Sequence, residues 1–476
     1  GSPLVTRQPD YLALPPMIPT LINDPAPGAL FLTPFNSSTL PSGSLNSMAI
    51  VNDSGKPIYG LSTYAQFHDL KLQPNGLLTY FDAWDRMWYA MDSNYVIVDS
   101  FWCGNGYFAD MHDLQLLPNG HALLLACDTV RGVDIRQWIG NAPQQSNVIG
   151  AVVQEIDRSK NVIFNWRSLD SGGYKVSDMI EDPYGYLEAD IDEIHANSLQ
   201  LDADGNVILS ARHLDEVTKL DRNTGKILWR LGGRNNQFTL LGDSIWFSHQ
   251  HDVRRLDNGH ITLFDNGNDH SYGPTPAPFY SRACEYALDE KNKTATLVWQ
   301  FDDGRRDSSV FMGSVQRLPN GNTLIGWGGN NMQSTSSPAV TEVRADGTKT
   351  YELSFGDGFV SYRAYRFPWK DLASHAGVQP HYASAVPAAD PTLSEPYPNP
   401  AATTAPRMTV ALPSGMLADL RLYDAMGREV ATVVSGALCA GPHELTLPVE
   451  GLANGVYHAV LRAGGHTLTR AVVLER

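Results

Sequence analysis

Five segments between His68 and Gly321 repeat one pattern, an alternating run that reaches a tight turn and continues as an apolar run, and this repetition constrains the fold more than any other feature of the chain. They are His68-Asp-Leu-Lys-Leu-Gln-Pro-Asn-Gly76, His112-Asp-Leu-Gln-Leu-Leu-Pro-Asn-Gly120, His195-Ala-Asn-Ser-Leu-Gln-Leu-Asp-Ala-Asp-Gly205, His251-Asp-Val-Arg-Arg-Leu-Asp-Asn-Gly259 and Gly313-Ser-Val-Gln-Arg-Leu-Pro-Asn-Gly321. Asn-Gly and Asp-Gly accept the positive φ of tight hairpin turns, and the flanking residues favour strand. Each segment reads as a β-hairpin.

A second set of hairpin signals interleaves with the first. Six times a turn built on aspartate runs into a β-branched or aromatic stretch, beginning at Asp53, Asp92, Asp157, Asp221, Asp289 and Asp346. These aspartates stand 39, 65, 64, 68 and 57 residues apart. Four-stranded units recurring at such intervals suit blades around an axis. Six outer hairpins and five inner ones predict a six-bladed β-propeller lacking one inner pair, which segments 28–35 and 360–369 are expected to supply by joining the chain ends.

Composition divides the chain. Lys370 is the last lysine, and residues 396–476 hold six arginines against six acidic residues, so the formal charge of −16 lies wholly on the first 395 residues. Residues 371–395 are rich in Ala, Pro and Ser and read as a linker. Alternation in Leu420–Tyr423 and Val456–Arg462, with Gly-rich turns between, predicts a small antiparallel β-sandwich. The expected class is all-β, with 1–47 an N-terminal segment partly closing the propeller, 48–370 the propeller, 371–395 the linker and 396–476 the sandwich.

The acidic balance, with no basic run, argues against nucleic acid as a partner. No stretch of about 18 apolar residues occurs, so no transmembrane segment is expected. The opening Gly1-Ser2-Pro3 reads as a cleavage scar. Cys103, Cys127, Cys284 and Cys439 are too scattered for a zinc cluster or a redox pair, although Cys103 and Cys127 would either bridge or remain two thiols.

Chemistry is expected of the histidines. The start of the innermost strand points at the mouth of a propeller channel, and four of the five repeats place a histidine there: His68, His112, His195 and His251. A single one would merely bond a neighbouring turn, but several at one rim form an anion-binding cluster or an acid/base set. Around His195 and His251 the repeats gain further polar residues, Asn197, Arg212, His213, His249 and His270, which marks a functional half of the rim. His249 and His251, two apart on a strand, would share a face, yet no carboxylate is placed beside them and no metal or other cofactor is expected.

At these residues the chain resembles the bacterial PAPS-independent arylsulfate sulfotransferases. The matching pieces lie within residues 48–370 and are densest from His195 to Gly329: His195-Ala-Asn-Ser198, Ser210-Ala-Arg-His213, Lys219-Leu-Asp-Arg-Asn-Thr-Gly-Lys-Ile-Leu-Trp229, Gln250-His251, Phe264-Asp-Asn-Gly267 and Tyr280-Ser-Arg-Ala-Cys-Glu-Tyr286. The resemblance implies ping-pong transfer of a sulfuryl group from a phenolic sulfate ester to an acceptor phenol through a sulfated histidine. It implies catalytic roles for His195, His251 and Arg282, with His68, His112, Asn197, Arg212, His213, His249, His270 and Asn331 lining the substrate. Two positions depart from the family: His270 stands where an arginine follows Asp-Asn-Gly, and Asn331 follows Gly328-Gly329 where the sulfated histidine belongs. Either another histidine, His251 first, carries the sulfuryl group, or the propeller is a non-catalytic surface module that binds a sulfated or acidic ligand or self-assembles. A hydrolase or lyase reusing the histidine rim is a third expectation.

Residues 396–476 resemble the C-terminal sorting domain of the type IX secretion system, on Tyr397-Pro-Asn-Pro-Ala401, Leu422-Tyr-Asp-Ala-Met-Gly-Arg428, Gly451-Leu-Ala-Asn-Gly-Val-Tyr457 and Thr469-Arg-Ala-Val-Val-Leu474. That resemblance implies type IX machinery as partner and a secreted or outer-surface location on a Bacteroidota-like cell.

Overall fold

The computed structural model describes residues 14–36, 46–63, 66–136, 144–170, 173–179, 190–270, 278–329, 337–356, 358–369, 391–402, 405–412, 416–424, 427–438, 441–464 and 466–475. The chain is all-β and divides into two compact units, the larger comprising Gly1–Ala83 and Met87–Gln379, the smaller Trp84–Arg86 and Pro380–Arg476. Among the described residues no helix is long and apolar enough to cross a membrane.

The larger unit holds six sheets of four or five strands among the described residues. One strand in each touches its counterparts in the neighbouring sheets, and these are β1 (Phe67–Leu72), β2 (Ala109–Leu116), β3 (Ala196–Leu201), β4 (His251–Arg255), β5 (Ser314–Arg317) and β6 (Phe359–Phe367). They contact one another in that order, and β6 returns to β1. Five sheets run outward from their inner strand through consecutive antiparallel hairpins. In the sixth, β6 pairs antiparallel with Ala29–Asn36, which pairs with Asn46–Val51, so both ends of the unit build one sheet.

Register explains the repeated motif. The backbone N–H of Leu199 on β3 donates to Asp113 Oδ2 of β2 at 3.1 Å, Val253 of β4 to Ser198 Oγ at 3.0 Å, Val315 of β5 to Asp252 Oδ2 at 3.1 Å and Ala364 of β6 to Ser314 Oγ at 3.0 Å. A second rung lies two residues on, where Gln115, Gln200 and Gln316 each accept from Leu201, Arg255 and Arg366 of the next strand, all at 2.7 Å. Side chains here do what ladder hydrogen bonds do within a sheet, satisfying buried N–H groups that face a neighbour too far off to pair directly.

Apolar side chains fill the spaces between sheets. Leu123, Val153 and Trp166 of one sheet pack with Leu199, Val207 and Leu209 of the next, and Leu30, Ala49, Leu324 and Val340 do the same where the chain ends meet. Inner strands are therefore buried on both faces, whereas an outer strand such as Val162–Arg167 alternates between inside and outside. Between the inner strands lies a charged centre. Lys71 bridges Asp69 and Asp113 at 2.6 and 2.5 Å, Arg254 bridges Asp113 and Asp252 at 2.9 and 2.7 Å, and Arg363 reaches Asp69 at 2.8 Å and Asp252 at 3.4 Å. Three carboxylates face three cations, the balance that burial demands.

In the smaller unit, Glu429–Leu438, Met416–Tyr423, Gly455–Ala463 and His466–Leu474 form a four-stranded antiparallel sheet, and Thr392–Leu393, Arg407–Leu412 and Gly441–Thr446 a three-stranded one. Both feed one apolar cluster that includes Val410, Leu420, Leu461 and Val472.

Candidate functional site

The ladder defines which residues are equivalent. Asp113, Ser198, Asp252 and Ser314 occupy one register position, so the residues just before them are His112, Asn197, His251 and Gly313. His195 lies two residues ahead of that position, in a left-handed bend at φ 46°. The repeat as read from the sequence aligned the wrong residue of β3, because two residues, Ala196 and Asn197, stand between His195 and Ser198 where His112-Asp113 and His251-Asp252 have none.

His195 nevertheless joins the others. Its ring centroid lies 4.9 Å from His112 and 4.7 Å from His213, and His112 lies 5.7 Å from Tyr362, which is 5.5 Å from His68. Tyr362 starts from β6 and its hydroxyl approaches the carbonyl of Asn197 on β3, three places away in the order of inner strands, at 3.5 Å. Its ring packs edge-on against both His68 and His112.

One device fixes two of these rings. Asp110 Oδ1 accepts the backbone N–H of His112 at 2.8 Å and its Nδ1–H at 2.5 Å. Asp192 accepts the N–H of His195 at 3.1 Å and its Nδ1–H at 2.6 Å. His213 Nδ1 lies 2.6 Å from the Asp192 carbonyl oxygen. A carboxylate or carbonyl can only accept, so Nδ1 bears the proton in all three rings and, in the neutral imidazole, Nε2 carries a lone pair. Asp192 is brought to the site by strand Asp190–Asp192, which adds in parallel to Ser146–Ile156.

Asp110, His112, Cys127, Asp192 and His195 line a cleft of about 110 Å³ with Ala126, Gly150, Ala151, Ile194 and Ala196. Burial draws the pKa of His195 down to about 4 against the upward pull of Asp192, so the ring is neutral at pH 7, and its side chain is 28% exposed and therefore reachable. Burial, then the neighbouring Asp110 carboxylate, raises the pKa of Cys127 and keeps it a thiol. Cys103 and Cys127 form no disulfide; Cys103 Sγ lies 3.6 Å from the Leu125 carbonyl and Cys127 Sγ 3.6 Å from Asp110 Oδ2.

Other expected residues are placed differently. His251 donates from Nδ1 to Asn266 Oδ1 at 2.7 Å and accepts the Met312 N–H on Nε2 at 3.2 Å, so both nitrogens are engaged. Burial, then the charge of Arg212, holds its pKa well below the ordinary histidine value. Arg212 donates to the Val310 carbonyl at 3.0 Å, and Asn197 Nδ2 to the Gln250 carbonyl at 2.7 Å. His249 precedes β4 in a left-handed bend at φ 55°, and its Nδ1 meets Ser248 Oγ and Asp215, so it shares no strand face with His251. Arg282 donates to Asp265, Asp243, Gln300 and the Trp246 carbonyl, which uses every N–H of its guanidinium, and His270 meets the same Asp265 at 3.3 Å. His68 is buried among Phe35, Phe81 and Tyr362. Asn331 falls outside the described residues.

Asp110, Asp192, Cys127 and Tyr362 were not anticipated. A carboxylate two or three residues ahead of a rim histidine, as in Asp110-Met-His112 and Asp192-Glu-Ile-His195, was the signal available for two of them.

The family model described as "Arylsulfotransferase (ASST)" matches residues 29–366, and one described as "Secretion system C-terminal sorting domain" matches residues 395–475. An arylsulfate sulfotransferase, AssT, of Lelliottia amnigena is 23% identical over 66% of this chain and 62% of its own length. The AssT of Escherichia coli O6:H1 is 28% identical over 33% of this chain and 31% of its own. The chain thus spans less than two thirds of the length of these relatives. Among solved structures, a protein of unknown function from Bacteroides caccae covers 71% of this chain and 98% of its own at 14% identity and a TM-score of 0.43. The sorting domain marks a secreted or cell-surface protein. On the match across residues 29–366, the chain belongs to the arylsulfotransferase family, and it carries a type IX sorting domain at its C-terminus.

Proposed function

We propose that this protein is a secreted, PAPS-independent arylsulfate sulfotransferase, built as a six-bladed β-propeller over residues 48–370 with a β-sandwich at 396–476 that addresses it to the type IX machinery of a Bacteroidota-like cell. The observation that carries this reading is the pair of carboxylate-anchored imidazoles, His112 and His195, on one cleft wall with their centroids 4.9 Å apart. His195 replaces His251 as nucleophile, because His251 has both nitrogens engaged. The His195 Nε2 lone pair attacks sulfur, the bond from sulfur to the aryl oxygen breaks, and the phenolate departs and takes a proton from solvent. Asp192, on Nδ1–H, offsets the positive charge that the ring gains. The acceptor phenol then attacks sulfur, the N–S bond breaks, and His112 Nε2 takes the phenolic proton. Arg212, whose charge reaches His251, supplies positive potential to the anionic sulfuryl group.

Incubation of the full chain with a chromogenic aryl sulfate and excess phenol tests this. Chromophore release that requires the acceptor is expected, with a loss of about a hundredfold or more in His195→Ala and a smaller loss in His112→Ala. No release between about pH 5 and 9, the range in which histidines titrate, or full release in His195→Ala, moves the reading to a non-catalytic binding propeller.

A further inference from the structure

The cleft that holds His112 and His195 fits one end of an aryl sulfate and not the other. At about 110 Å³ it is well below the roughly 300–1,000 Å³ of a site that encloses a whole small molecule, and its lining is carboxylates, imidazoles and small residues. An aromatic ring has to rest on other surface. The rim supplies it by closing on itself. His195 packs 4.7 Å from His213, the adjoining Arg212 donates to the Val310 carbonyl at 3.0 Å, Phe311 and Met312 pack with Val360 and Tyr362, and Tyr362 returns to His112 at 5.7 Å. One arc of this circuit is polar, whereas the other, made of Phe35, Phe311, Met312, Val360 and Tyr362, is apolar. Met312, Val360 and Tyr362 are buried, but Phe35 and Phe311 are only half-buried. Phe35 stands opposite Val360 in the register of its sheet, with its ring 6.0 Å from His68. Phe311 is seated by the glycine pair that follows Trp327. The N–H of Gly329 donates to the Phe311 carbonyl at 3.1 Å, and a Cβ at Gly329 would stand 3.1 Å from the Phe311 ring, tighter than ordinary van der Waals contact.

We propose that Phe35 and Phe311 form the slot in which the aryl ring of the donor ester, and then that of the acceptor phenol, rests while its reacting end enters the imidazole cleft. The proposal rests on the sulfotransferase reading of His195 and names the substrates such an enzyme would take: compounds whose ring is broad, flat and uncharged. Apolar area covered by the ring adds affinity roughly in proportion. Aromatic groups gain further from edge-to-face or offset contact at centroid separations of about 4.5–7 Å, the range in which Phe35, His68, Tyr362 and His112 already stand. A charge on the ring would lose hydration against this surface and find no partner in it. Bicyclic phenols are therefore favoured over hydroxybenzoates, sugars and aliphatic alcohols. Donor and acceptor occupy one place in turn, so both follow the same order of preference.

Sulfonates, in which carbon replaces the ester oxygen and no sulfuryl group can leave, test the slot without turnover. Titration calorimetry of the full chain with methanesulfonate, benzenesulfonate and naphthalene-2-sulfonate is expected to show affinity rising about tenfold or more across the series. Affinity for the naphthalene compound should fall about fivefold or more in Phe311→Ala and in Phe35→Ala, while Ile163→Ala, on an exposed outer strand, retains it. A flat series, no binding of the naphthalene compound, or unaltered affinity in either phenylalanine variant overturns the slot. Should a variant fail to fold, leucine at the same position keeps most of the apolar volume; the preference for naphthalene over benzene is expected to shrink, and an unchanged preference overturns the slot. 4-Sulfobenzoate is expected to bind more weakly than benzenesulfonate, and equal binding removes the preference for uncharged rings. The chromogenic assay separates the slot from the reaction. A raised KM with little change in kcat in Phe311→Ala supports the slot; an unchanged KM overturns it and leaves the sulfotransferase reading standing. Graded sulfonate binding with no turnover of any aryl sulfate leaves the slot and removes the sulfotransferase reading.

Discussion

Single imidazoles at this rim differ because their hydrogen-bond partners differ. His68 has no hydrogen-bond partner on either ring nitrogen among the described residues, and burial, then the neighbouring His112, pulls its pKa down to about 3 against the upward pull of Asp110. The unfolded chain binds that proton near the ordinary value of about 6.5, so between these limits the unfolded state holds more protons. Stability from this residue is complete above about pH 6.5 and declines by about 1.4 kcal/mol per pH unit as the pH falls toward 3. His68→Phe keeps the aromatic contacts and removes the titration. Acid unfolding followed by circular dichroism should begin at lower pH and rise less steeply, and an unchanged transition would show that His68 is solvated in the folded protein.

At the scale of the element, the glutamine rung makes a clean prediction. Gln200 Oε1 is the acceptor for the half-buried N–H of Arg255 across the gap between β3 and β4. Gln200→Met retains much of the volume and strands that N–H, at a cost of about 1–3 kcal/mol, whereas Gln200→Glu keeps an acceptor and should lose less. Urea midpoints of the two variants measure the difference; equal midpoints would mean that water fills the gap. The hairpins themselves were legible from sequence, since Asn75-Gly76, Asn119-Gly120 and Asn320-Gly321 act within a few residues of chain. The rungs were not, because Gln115, Gln200 and Gln316 look like ordinary polar positions until the next strand is set beside them.

Across the whole molecule, the charged centre ties strands that are far apart in the chain. Arg363 of β6 meets Asp69 of β1, Asp252 of β4 and, at 3.7 Å, Asp113 of β2. Arg363→Met leaves three buried carboxylates with two cations, and a loss of about 3–5 kcal/mol is expected from the uncompensated charge. Thermal unfolding should move down accordingly and remain cooperative; a shift of only a degree or two would place solvent at the centre.

Turn residues and period-two alternation carry their meaning locally, and so the sequence by itself determined the all-β class, the order of the hairpins, the change of composition after Lys370 and the family of both units. Which histidine has both ring nitrogens engaged was decided only by tertiary structure. His251 and His195 have similar surroundings in the chain, yet one has its second nitrogen occupied by the N–H of Met312, 61 residues away, and the other is set beside a cleft by Asp192 on an added parallel strand. A proton's position on an imidazole depends on the acceptor that folding brings within about 3 Å, and no local pattern encodes that distance.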